Sequence, residues 1–159
     1  MNKKLALIAA ALIAAIAFWN FFYIPHQEIS KLMSFRNRIV ALYAEHQANE
    51  EWRHNNFFKM PEREYQEESH LRASNLLLAA RELKKDLYKE TVLLSTKDAL
   101  KVVKPIKKAM NTLLALSEID AEMERDFLFT GKSEKEKLEK VFKLEETLEY
   151  ELIPELRGL

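Results

Sequence analysis

The sequence predicts an all-α protein: an N-terminal transmembrane helix followed by an antiparallel up-down four-helix bundle. Composition is the first reason. Only 2 Gly and 4 Pro occur in 159 residues, and a sheet protein would need turn residues roughly every 8–12 positions. Periodicity is the second, because apolar residues recur at helical spacing through four long stretches. The third is the apolar run from Leu5 to Ile24, broken only by Asn20. Residues 1–25 are therefore read as an anchor and 26–159 as one bundle domain.

The run Leu5–Ile24 would span about 30 Å as a helix, one hydrocarbon thickness. Two readings compete. A cleaved signal peptide would place its apolar core at Leu5–Ala14 and its cleavage site at Ala15-Ile16-Ala17. A signal-anchor would use the whole run, with Phe18, Trp19, Phe21, Phe22 and Tyr23 as an interfacial aromatic belt. The aromatic residues favour the anchor. Lys3 and Lys4 nearly balance Lys31, Arg36 and Arg38 across the span, and the signal-like start places the N-terminus inside, so the expectation is a single-pass inner-membrane protein with a periplasmic C-terminal domain.

The first bundle helix is expected over Gln27–His54, with Ile29, Leu32, Phe35, Ile39, Leu42, Tyr43 and His46 on one stripe. The stretch "NNFFKMP" ends it. Pro61 suits the first turn of the second helix, and Glu62 and Glu64 suit its positive end. That helix carries Ala73, Leu76, Ala80, Leu83, Leu87 and Leu94 inward. "STKD" predicts a capping box with Ser95 at the cap and Asp98 near the third position. The third helix then places Leu100, Val103, Met110, Leu113, Leu116, Met123 and Phe127 inward. Pro105 should kink it or mark its start. The fourth carries Leu138, Val141, Phe142, Leu148, Leu152 and Leu156, and Pro154 should fray its end.

Charge predicts the neighbours. The third helix begins basic and ends acidic (Glu118, Asp120, Glu122, Glu124, Asp126), and the fourth repeats that order from Lys132 to Glu155. Both oppose their own macrodipoles. Antiparallel packing sets each basic half beside an acidic half, so these two helices should lie side by side.

Candidate chemistry is sparse. The net charge is zero, which removes the basic footprint of a nucleic-acid binder. The absence of cysteine excludes disulfides, thiolate metal sites and a thiol nucleophile. Gly131-Lys132-Ser133 resembles the tail of a P-loop, but Asp126 stands where the first glycine is required. A helix corner explains it better, with Gly131 ending one helix and Ser133 capping the next. His46, Glu50 and His54 share one helix face and could hold Zn or Cu. Methionine-ligated haem lacks a partner histidine. Glu51-x-x-His54 and Glu67-x-x-His70 give two copies of a di-iron motif, but no inward bridging glutamates. Trp52, Phe57, Phe58 and Tyr65 gather at the first distal corner, either as a plug on the bundle end or as a partner-binding patch.

The segment "ERDFLFTGKSEKEKLEK" (Glu124–Lys140) resembles the "ERGYLLTGD" corner of extracytoplasmic four-helix sensory modules of the CHASE3 and chemoreceptor type. Asp126 departs from that motif's glycine, and the corner falls later in the bundle. The resemblance implies a sensor-like bundle. No kinase, HAMP or methyl-accepting segment accompanies it, so output would pass through a protein partner at the membrane. The expected function is a non-enzymatic, sensor-like or regulatory binding module with no cofactor. Its alternatives are a structural subunit or assembly factor of an envelope complex, and a small metal-binding bundle. A homo-oligomer fits any of these.

Overall fold

The structure, a computed structural model, describes residues 3–130 and 135–159. All regular structure among the described residues is helical: α1 (Lys3–Phe18), α2 (Ile24–Asn56), α3 (Glu62–Thr91), α4 (Lys97–Thr130), α5 (Lys135–Thr147) and α6 (Ile153–Arg157). Wider π-helical turns at Trp19–Tyr23 and Leu148–Leu152 join α1 to α2 and α5 to α6. The corner at Gly131 and Ser133 lies outside the described residues.

Both wide turns precede a proline by two positions, Pro25 and Pro154. A proline ring clashes with the carbonyl four residues back and offers no N–H to it. Widening the preceding turn relieves the clash. The N–H of Ile24 reaches back to the Trp19 carbonyl, and that of Ile153 to Leu148, both five residues away. Pro154 therefore widens the last helix rather than fraying it, because α6 continues to Arg157. Pro105 lies inside α4, which already begins at Lys97.

The wide turn also corrects the N-terminal reading. The apolar helix α1 is 16 residues long, including Lys3 and Lys4, and about 24 Å falls short of a hydrocarbon core. No helix among the described residues is long and apolar enough to cross a membrane. The expected transmembrane anchor, and with it the single-pass inner-membrane placement and periplasmic topology, is overturned. Ile8, Leu12, Ile13, Ile16, Phe18, Phe21 and Phe22 stand exposed along this segment.

The bundle domain packs as expected in outline. α4 lies against α2, α3 and α5, and α2 also packs on α3. The α5–α6 helix runs along α4. Its charges pair as the sequence order implies. Lys137 reaches Glu122 and Asp126 at 2.9 and 2.8 Å, and Lys108 approaches Glu151 at 4.0 Å. Hydrogen bonds to Asp126 and then Glu122 hold the Lys137 ammonium well above the usual lysine range. The same contact lowers the Asp126 carboxyl.

Fully buried Leu32, Ile39, Leu83, Leu87, Ile106, Met110, Leu113, Leu148 and Leu156 belong to one apolar core. Two expected inward residues differ. Leu100 and Phe142 face outward, 52% and 64% exposed. Each sits at the edge of its stripe.

The α3–α4 corner is tied differently from the expected capping box. Thr96, not Ser95, caps α4, its hydroxyl accepting from the Ala99 N–H at 3.3 Å. Ser95 instead gives both its N–H and hydroxyl to Glu28 Oε1, each at 2.8 Å. Thr96 gives its N–H and hydroxyl to Glu28 Oε2 at 3.0 and 2.6 Å. One carboxylate from the start of the bundle helix thus occupies the N-terminus of α4.

Candidate functional site

The inner stripe of α2 changes character partway along. Leu32, Phe35, Ile39 and Tyr43 are followed, at the same three-to-four-residue spacing, by His46, Asn49 and Arg53, all buried. α4 does the same. Leu113 and Leu116 give way to Ser117 and Asp120, which are buried, and then to Glu124. α3 contributes Ser69 and Tyr65. The bundle therefore has an apolar half toward the α3–α4 corner and a charged interior toward the α2–α3 corner.

Arg53 organises the charged half. Its Nη1 and Nη2 donate to Asp120 Oδ1 and Oδ2 at 2.7 and 2.9 Å, a two-pronged pair. Its Nε donates to Ser69 Oγ at 2.9 Å and lies 3.4 Å from Glu124. Nη1 also donates to Glu50. Burial opposes the Arg53 charge, but Asp120, Glu124 and Glu50 more than offset it and hold the guanidinium above its ordinary range. The half-buried Glu50 carboxyl is pushed up by burial against the pull of Arg53. Burial and the nearby Glu124 raise the Tyr65 hydroxyl.

His46 completes the centre. It is 1% exposed and touches groups on two other helices. Its Nε2 lies 2.8 Å from Glu145 Oε1 on α5. A carboxylate only accepts, so Nε2 carries the proton and donates. In the neutral ring Nδ1 is then a bare lone pair. It has no hydrogen-bond partner and faces Asp120 Oδ2 at 3.9 Å. Beside it, Tyr43 is pushed up to about 12 by burial and by Glu149 and Glu145.

Ligating atoms of His46, Glu50 and Asp120 all lie within 4.8 Å of one another, the group among the described residues able to hold a metal ion. Of the expected His46, Glu50 and His54, the first two come together, and their third neighbour is Asp120 from α4. His54 is exposed. It lies on the rim of a surface pocket of about 490 Å³, with Glu50, Arg53, Phe57, Phe58 and Tyr65. The two Glu-x-x-His motifs do not converge: Glu51, His54 and Glu67 are exposed and only His70 is half-buried.

The distal aromatic residues form an ordered corner. Trp52 stacks on Tyr65 with centroids 5.7 Å apart, Phe57 meets Tyr65 edge-on at 5.4 Å, and Arg72 lies over Trp52 at 4.5 Å. Phe58 packs edge-on against Phe57 and is 92% exposed. Tyr65 is thus buried, Trp52 half-buried and Phe57 half-exposed, and Phe58 projects from the cluster.

Sequence reasoning passed over Arg53 and Ser69, and it took Asp120, Glu124 and Glu145 only as parts of the acidic ends of the third and fourth helices. The signal was present for Arg53. Asn49 and Arg53 continue the very spacing that carried Leu32 to His46.

Comparison with protein-family models, curated proteins and solved structures finds no match.

Proposed function

We propose that this protein is a non-enzymatic, sensor-like helical bundle whose ligand is a cation held in its charged interior. The observation that carries the reading is the unpartnered, buried Nδ1 of His46, facing the carboxylate of Asp120. At 3.9 Å the two are too far apart for a hydrogen bond, and a buried polar atom left without a partner is costly. The surroundings favour a positive partner. Glu50, Asp120 and Glu124 surround a single guanidinium and Glu145 meets His46, so carboxyl groups outnumber the fixed positive charge there. The likeness of Glu124–Lys140 to the corner of sensory bundles agrees with a binding module that reports to a protein partner.

Thermal unfolding of chelator-treated protein, repeated with Mg²⁺, Ca²⁺, Zn²⁺ and Cu²⁺, tests the reading. A ligand at one hundred times its dissociation constant stabilises by about 2.7 kcal/mol, a shift of roughly 5 °C or more in a chain of this size. Unchanged melting with every cation refutes cation binding.

A second reading, a subunit of a larger assembly, is favoured by the exposed apolar residues of α1 and the following wide turn. Purification of the native protein with stoichiometric companions supports it, and recovery of a monomer alone counts against it.

A further inference from the structure

We infer that His46 Nδ1, Glu50 and Asp120 form a site for a divalent transition metal of the zinc or copper kind, and that Arg53 is the site's built-in competitor. This rests on the cation-binding reading above and gives that cation its chemical class and its control.

The donor set argues the class. One imidazole nitrogen with two carboxylates suits borderline metals, whereas Mg²⁺ and Ca²⁺ call for oxygen ligands and retained water. The imidazole is already prepared for the task. Glu145 fixes the proton on Nε2 at 2.8 Å and so aims the Nδ1 lone pair inward, the arrangement that orients histidine ligands in metal centres. Metal bonds of about 2.0–2.1 Å in a tetrahedral site hold ligand atoms about 3.3 Å apart. The 3.9 Å between Nδ1 and Asp120 Oδ2 closes to that with a small side-chain shift.

Arg53 holds two of the three ligands. Its Nη1 donates to both Glu50 and Asp120, and its Nη2 to the same Asp120 Oδ2 that faces His46. A metal bonded to Oδ2 and to Glu50 must take those oxygens from the guanidinium, and two positive charges a few ångströms apart repel. Metal entry therefore turns Arg53 out. Ser69 and Glu124 remain within its reach, and the pocket beside Phe57, Phe58 and Tyr65 is open to its head. Occupancy of the centre is thereby expressed at the aromatic corner on the surface.

Calorimetric titration of ZnCl₂ and MgCl₂ into the chelator-treated full chain tests this. One equivalent of Zn²⁺ is expected to bind, and Mg²⁺ not measurably. His46→Ala should lose binding, His54→Ala should retain it, and Glu145→Gln should weaken it roughly tenfold. Arg53→Gln should bind Zn²⁺ about tenfold more tightly than wild type, one competing charge having been removed. If Arg53→Gln fails to fold, Arg53→Lys serves. It keeps the charge but loses the two-pronged grip on Asp120, and should bind several-fold more tightly. Binding by Mg²⁺ as well as Zn²⁺, indifferent to His46, overturns the transition-metal site while leaving cation binding intact. Zn²⁺ binding no tighter in either Arg53 variant overturns the competitor. No cation binding at all refutes both readings together.

Discussion

At the scale of single residues, burial separates side chains that look alike in the sequence. Asp120 and Glu118 both belong to the acidic end of α4. Glu118 meets Arg81 at the surface at 3.4 Å, both side chains about half exposed, and such a pair contributes about 0–1 kcal/mol. Asp120 is buried against the fork of Arg53. Asp120→Asn removes one partner of a buried pair and leaves the guanidinium without its principal counter-charge. The expected cost is about 3–5 kcal/mol, read as a lowered urea midpoint with an unchanged slope. Glu118→Gln should move the midpoint little. Similar midpoints for the two variants would contradict the division of the acidic end into an inner and an outer set. Leucines divide in the same way. Leu116 is fully buried and Leu100 is 52% exposed, so Leu116→Ala should cost about 2–5 kcal/mol and Leu100→Ala less than 1. Equal losses would restore Leu100 to the core where its spacing first placed it.

At the scale of elements, the sequence made helices, most of their ends and one pairing legible. The joints that depend on a distant residue were not. Low glycine content, Pro61 before Glu62 and the 3–4 spacing define α2, α3 and α4 within a few residues. The acid-then-base order of residues 118–140 identified α4 and α5 as neighbours, as Lys137 with Glu122 and Asp126 shows. "STKD" reads locally as a Ser95 cap, and no local rule reveals that Glu28, 67 residues away, takes up the Ser95 donors and passes the cap to Thr96. The buried centre was hidden for the same reason. His46 and Glu50 share a helix, but Asp120 comes to them from another. The Glu28 joint makes a pH prediction. Burial works to raise its carboxyl, and the hydrogen bonds from Thr96 and Ser95 outweigh that and lower it below the ordinary 4.5. A lowered folded value contributes stability that is present above pH 4.5 and lost as the pH falls through that lower value. Glu28→Gln should therefore cost about 1–2 kcal/mol at pH 7, and the gap to wild type should narrow as the pH falls below 4.5. A gap independent of pH would show that the carboxylate charge is not what holds the corner.

At the scale of the molecule, the packing is uneven, and the unevenness has a kinetic consequence. α2, α3 and α4 each pack on the other two, so none of them opens without exposing two apolar faces. The α5–α6 helix leans mainly on α4, with Val141, Leu148, Leu152, Ile153 and Leu156 as its buried apolar residues. On α2 it meets the His46–Glu145 hydrogen bond, which ties the metal-ligand candidate to the least enclosed helix. Regions with fewer buried contacts open at lower free energy than the whole protein unfolds. Amide hydrogen exchange should therefore find residues 138–156 less protected than residues 103–117 of α4. Leu148→Ala should lower protection in 138–156 first, and that of α4 only as global stability falls. Exchange at one common rate throughout α2 to α6 would instead describe a single cooperative unit. In that case the buried apolar residues of the last helix and the His46–Glu145 contact together would couple it to the interior as tightly as the apolar core couples the other three.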